Sequence, residues 1–145
     1  MSILALAFAL GISAFTGLAP TDQTYEQAYN VAISDSSRPL VVLVGADWCP
    51  ACQSMKSSVL PQVQQLGGLN NVAFATVNVD RDSTIAKSLM EGGSIPQLIM
   101  YVKTDKGWTR QQLTGGQSVS TVQGFVAQGV STARTPITTT VSEKR

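Results

Sequence analysis

Residues 40–44 read LVVLV, an aliphatic run without a polar interruption. Successive side chains of a strand point to opposite faces, so a run of this kind leaves no face for water and needs cover on both sides. It predicts a central strand. The preceding segment supplies one layer of that cover. Thr24 with Gln27 three residues later fits a capping box. Tyr25, Ala28, Tyr29, Ala32 and Ile33 follow at the spacing of a buried helical face. Residues 34–39, SDSSRP, are turn chemistry between that helix and the strand.

The same alternation continues along the chain. Met55, Val59, Val63 and Leu66 keep a helical stripe, with Pro61 placed to kink the helix or end it early. Residues 72–79, VAFATVNV, alternate as a strand, and residues 80–90 hold a short helical pattern through Ile85, Ala86, Leu89 and Met90 that Gly92-Gly93 stops. Leu98 to Val102 reads as a strand, residues 104–107 (TDKG) as a hairpin turn, and Trp108 to Leu113 as the return strand. Val119, Val122, Phe125, Val126 and Val130 suggest a last helix, which Gly124 and Gly129 weaken. Strands alternating with helices, closed by a hairpin and a helix, predict an α/β fold with one mixed sheet flanked by helices on both faces. At 145 residues the chain suits a single domain, expected over residues 20–131, followed by a polar tail over 132–145.

Composition removes several functions. A net charge of +1 with interspersed charges lacks the basic footprint of a nucleic-acid binder. Histidine is absent, which excludes Ser-His-Asp and Cys-His catalysis and most zinc chemistry. Residues 1–19 are almost entirely apolar, as in the h-region of a secretory signal or a membrane anchor of about 17 residues. The first two residues carry no Lys or Arg, and Pro20 follows the Gly17-Leu18-Ala19 processing site, so cleaved signal, retained anchor and buried helix all stay open. Either membrane reading puts the rest of the chain outside the cytoplasm, periplasmic or secreted.

The two cysteines, Cys49 and Cys52, lie in ADWCPACQSM, between the central strand and the next helix. Tetrahedral zinc needs four ligands, and two sulfurs without histidine supply too few; two-coordinate Cu(I) would suit the sulfurs better. A bridge closing so short a loop restrains little of the unfolded chain, which weakens a purely structural role. The redox reading explains the placement. At a helix N-terminus Cys49 faces unpaired N–H groups and the positive end of the dipole, which lowers its pKa and makes it the nucleophile. Cys52, one helical turn on and expected to be more shielded, is the resolving thiol. Pro50 suits the first helical turn, where its missing N–H has no partner.

With these residues in view, the chain resembles the thioredoxin-like superfamily over about residues 21–130. The matching stretches are VVLVGADWCPAC, NVD at 78–80 and GGSIPQLIMY at 92–101, and the first helix running into ADWCPACQSM resembles extracytoplasmic thioredoxin-like domains. The resemblance implies a cis Ile95-Pro96 bond facing the cysteines, with exposed backbone that pairs with an extended substrate. It also implies a substrate surface of Trp48, Pro50, Ala51, Ile95 and Pro96, and a glycine role near the site for Gly115-Gly116, which a simple turn would explain equally well.

The departures are as specific. Where typical thioredoxins have a buried Asp and its Lys partner, this chain has Leu43 and Thr76; the usual Lys after the second cysteine is Gln53, and the central dipeptide is Pro-Ala. The expected function is therefore a protein-disulfide oxidoreductase of extracytoplasmic proteins, with the reductase direction favoured over the oxidase one. Its cofactor would be no more than the Cys49–Cys52 disulfide itself, with no metal. Its partners would be disulfide or thiol clients and a membrane electron donor, and the protein would be a monomer. The competing reading is a binding module of the same fold that holds a client or Cu(I) without turnover.

Overall fold

The computed structural model describes residues 23–135. The expectations for residues 1–19, and for the tail beyond residue 135, lie outside the described residues. The elements are α1 (Tyr25–Ser34), β1 (Leu40–Gly45), α2 (Pro50–Ser54), a π-helical turn (Met55–Val59), α3 (Leu60–Gln65), β2 (Ala73–Asn78), α4 (Ser83–Leu89), β3 (Gln97–Thr104), β4 (Gly107–Thr114) and α5 (Val119–Arg134). The four strands form one sheet in the order β2-β1-β3-β4. β1 runs parallel to β2 and antiparallel to β3, and β4 is antiparallel to β3, so the sheet is mixed.

β1 is buried along its whole length, as its composition requires. The two-residue period sends Val41 and Leu43 to one face, where they meet Met55, Leu60, Val63, Val122 and Val126. Leu40, Val42 and Val44 face the other way, onto Ala28, Ala32 and Ala86. One core therefore lies under the α2–α3 helix and α5, and the second under α1 and α4.

α1 starts at the capping box. Gln27 N–H donates to Thr24 Oγ1 at 3.3 Å and Thr24 N–H to Gln27 Oε1 at 3.0 Å. Its buried face is narrower than the spacing predicts. Ala28 and Ala32 are buried, while Tyr29 and Ile33 are each 45% exposed. Two alanines bring the helix close to the sheet, and the flanking large side chains are left outside; Tyr29 stacks on Tyr25 with ring centroids 6.1 Å apart. Pro61 neither ends nor breaks the second helical segment. It has no N–H, and its ring would strike the carbonyl four residues earlier in regular α geometry. The backbone widens instead into the π-helical turn just ahead of it, where Leu60 N–H donates to Met55 O.

α4 begins at Ser83 rather than Asp80 because Asn78 Oδ1 accepts from Asp80 N–H (2.8 Å) and Arg81 N–H (3.3 Å), spending those residues on a turn. α5 runs to Arg134, past residue 132 where the polar tail was expected to begin. Ala133 explains the extension, since it packs against the first core. Gly129 does not weaken α5 in place: it is buried, and a Cβ there would strike the Sδ and Cε of Met100. Among the described residues, no helix is long and apolar enough to cross a membrane.

Candidate active site

β1 ends at Gly45, and the chain turns through Ala46, Asp47 and Trp48 into α2. Cys49 is the N-cap of that helix and Pro50 occupies its first turn. Cys52 N–H donates to Cys49 Sγ at 3.2 Å, so one of the helix's unpaired donors is aimed at the sulfur. Such a contact, made to a reduced sulfur, would stabilise negative charge on it. The two sulfurs are joined in a disulfide with the Cα atoms 5.2 Å apart.

Whole-residue exposure does not separate the pair as expected. Cys49 is 6% and Cys52 4% exposed, so both are buried. Their surroundings differ. Cys52 lies over Gly45, where an added Cβ would sit 3.0 Å from both its Cβ and its Sγ. Only a residue without a side chain lets helix and strand approach so closely. Ala46, Val79 and Ile95 complete an apolar collar around the cysteines.

The Ile95–Pro96 peptide bond is cis. Pro96 is buried and Ile95 half-buried in the collar, so residues distant in sequence from the cysteines are brought beside them. Gly115 N–H donates to Pro96 O at 2.8 Å, with Gly115 at φ +86°, a conformation that favours glycine. A Cβ on Gly116 would lie 3.8 Å from Ala51 Cβ, which places the glycine pair at the site as well as at a turn. Pro50 and Ala51 are exposed at the start of α2. Trp48 is 67% exposed and no part of the core. Its Nε1–H donates to Asp80 Oδ2 at 2.9 Å, while Arg81 Nη1 meets Asp47 Oδ2 at 2.8 Å. Two links thus join the loop before Cys49 to the turn after β2. Asp47, Asp80 and Arg81 were not foreseen as site residues, although NVD ended a predicted strand at the correct height.

Leu43 and Thr76 stand opposite each other on β1 and β2. Both line a cleft of about 140 Å³ that reaches Cys52 and is also bordered by Asp47, Lys56 and Asp82. The ionisable groups near Cys52 are therefore on the cleft walls and exposed, instead of buried in the sheet. Among the described residues, no group of three or more His, Cys, Asp or Glu side chains is gathered to hold a metal ion.

A family model described as thioredoxin matches residues 20–128. This chain belongs to the thioredoxin family. The thioredoxin fold also recurs among solved structures. A Thermus thermophilus thioredoxin is 24% identical, over 72% of this chain and 82% of its own, with a TM-score of 0.58. Thioredoxin from Fasciola hepatica is 18% identical, over 73% of this chain and 94% of its own, at 0.57. That of Trichomonas vaginalis is 24% identical, over 75% and 96%, at 0.54. At these identities the likeness speaks to the fold. Among curated proteins, none matches the chain. A thioredoxin fold with Cys49 and Cys52 at disulfide distance supports thiol-disulfide oxidoreductase chemistry.

Proposed function

We propose that this thioredoxin-family protein reduces or exchanges disulfides in extracytoplasmic proteins. The observation that carries the reading is the Cys52 N–H directed at Cys49 Sγ at the head of α2, within the apolar collar that includes Ile95. In the reductive direction the Cys49 thiolate attacks one sulfur of a client disulfide. A Cys49–client bond forms, and the other client sulfur leaves as a thiolate and takes a proton. Cys52 then gives up its proton and attacks Cys49 Sγ. The Cys49–Cys52 disulfide forms, the second client thiolate is released, and two electrons have passed from the dithiol to the client. The cleft bordered by Lys56 and Asp82 gives the Cys52 proton a route out, in place of the buried acid that Leu43 replaces.

The apolar residues 3–19 support a location outside the cytoplasm, with the pair re-reduced by a dithiol donor at the membrane. Ile95 before the proline, and the direct passage from one element of the fold to the next among the described residues, with no inserted helical domain, support the reductase direction. Trp48, Pro50, Ala51, Ile95 and Pro96 form the client-docking surface. Trapping tests the chemistry: Cys52→Ser is expected to accumulate a mixed disulfide with client proteins, and Cys49→Ser to trap none. Equilibration with glutathione, read by mass spectrometry after alkylation, tests the direction. A strongly oxidising potential would reverse it, and a pair that never oxidises reversibly would refute the reading.

One observation favours a second reading, a client- or Cu(I)-holding module without turnover: Leu43 and Thr76 leave no acid buried in the sheet beside Cys52. Insulin reduction with dithiothreitol separates the two. Equal rates for the unaltered protein and Cys49→Ser would favour the module.

A further inference from the structure

Gln97, the first residue of β3, is fully buried. Only Asn78 shares its status as a buried polar side chain among the described residues. A buried carboxamide left without partners is costly, so where its bonds go shows what the position is for. All of them go to one loop. Gln97 Nε2 donates to Glu91 O (3.0 Å), Ser94 O (2.9 Å) and Gly92 O (3.4 Å), and Gln97 Oε1 accepts from Glu91 N–H (3.3 Å).

That loop joins α4 to the Ile95-Pro96 segment. Gly92 adopts φ +79°, and an added Cβ on Gly92 or Gly93 would meet nothing within 4 Å. Two side chains of β4 brace it from outside: Gln112 Nε2 donates to Glu91 O (3.3 Å), and Arg110 reaches Leu89 O (2.8 Å) and Glu91 Oε2 (3.1 Å). The loop is thus tied to the sheet by three side chains, of which Gln97 is the one fully buried and the one with the most bonds to it, and Ile95, which follows the loop, lies against the cysteines.

We propose that Gln97 is a positioning residue that sets affinity for protein disulfides: its carboxamide holds residues 91–94 so that the backbone of Ile95, ahead of the cis Pro96, stands preformed for an extended client segment. The inference rests on the oxidoreductase reading above. A preformed segment spares the client the cost of ordering it, which is a gain in affinity rather than in the reactivity of Cys49. A small disulfide, with no extended backbone to pair, gains nothing from it.

Gln97→Met keeps the length of the side chain and removes its polar bonds. With insulin as the protein substrate, KM is expected to rise by roughly tenfold, the equivalent of about 1.4 kcal/mol, with kcat little changed. With 5,5′-dithiobis(2-nitrobenzoate) as the small disulfide, the rate is expected to stay within about twofold, and the thiolate titration of Cys49, followed by ultraviolet absorbance, to stay in place. Equal loss on both substrates, a moved titration, or an unchanged insulin KM would overturn the proposal. If Gln97→Met does not fold, Gln97→Asn, which keeps the carboxamide but draws it back from the loop, is expected to raise the insulin KM selectively by roughly threefold; no selectivity there refutes it. Unaltered protein that reduces neither substrate would instead sink the oxidoreductase reading, and this inference with it.

Discussion

Replacing Gly45 by alanine would put a methyl group 3.0 Å from both the Cβ and the Sγ of Cys52. Carbon contacts are most favourable at roughly 3.5–4.0 Å, so one side must move by about half an ångström. Neither moves freely in the oxidised protein, because Cβ is fixed to the backbone of α2 and Sγ is bonded to Cys49. Overpacking of this kind costs roughly 1–3 kcal/mol, from which about 0.5–1 kcal/mol is recovered because alanine restricts the unfolded chain more than glycine does. The net loss is about 1–2 kcal/mol, or roughly 4–8 °C in melting temperature for a fold of this size. In the dithiol the Cys52 sulfur can turn aside, leaving only the Cβ contact, and about half the loss should remain. The oxidised form then loses about 0.5–1 kcal/mol more than the reduced form, which raises the reduction potential by roughly 10–20 mV. Melting both redox forms by calorimetry and equilibrating them against glutathione checks the two halves separately. Equal destabilisation of the two forms, or none in either, would refute the reasoning that Gly45 is kept for the approach of Cys52.

The two glycines of α5 are expected to respond in opposite senses. Gly129→Ala should cost about 1–2 kcal/mol by forcing Met100 aside, whereas Gly124→Ala, exposed with nothing within 4 Å of its Cβ, should gain about 0.5–1 kcal/mol in urea unfolding. Thr24→Ala removes the side-chain acceptor of the α1 capping box and should lower stability by about 1 kcal/mol in the same assay. Hydrogen bonds from the Ser37 hydroxyl and backbone N–H, with Arg38 nearby, hold the Asp35 carboxyl below its ordinary 3.8. A depressed carboxylate favours the folded state above its unfolded pKa, and that contribution fades as pH falls through the folded value. Ser37→Ala should move the Asp35 titration, followed by NMR, upward toward 3.8, and an unmoved titration would refute the assignment.

The parts of the fold that could be read in the sequence are those with local or periodic causes. LVVLV could only be a strand covered on both faces, Thr24 and Gln27 are three residues apart in the chain, and the turn before Gly107 lies between the strands it joins. The π-helical turn could not be read, because the conflict around Pro61 has several backbone solutions and the packing of Met55, Leu60 and Val63 selects among them. The exposure of Tyr29 and Ile33 was equally hidden, since helical spacing gives a direction without saying how wide a stripe the sheet will accept. At the site, Cys49, Cys52 and Pro96 were legible by residue type and context. Asp80 and Arg81 were not, as they meet Trp48 and Asp47 across separations of 32 and 34 residues. Gln97 was hidden for a further reason: in a strand of Leu, Ile, Met and Val its polarity gives no clue that a neighbouring loop depends on it.

The interior described here contains no ionisable side chain apart from the two cysteines: Asn78 and Gln97 are its only buried polar residues, Leu43 and Thr76 fill the place of an acid and an amine, and histidine is absent from the chain. Between about pH 5 and 8, where histidine would ordinarily titrate, the body of the protein is therefore chemically silent. A compartment whose acidity follows the outside medium would alter the thiols when the pair is reduced while leaving the scaffold around them unchanged. Between those limits the response of the protein to pH is left to the thiols and to its surface.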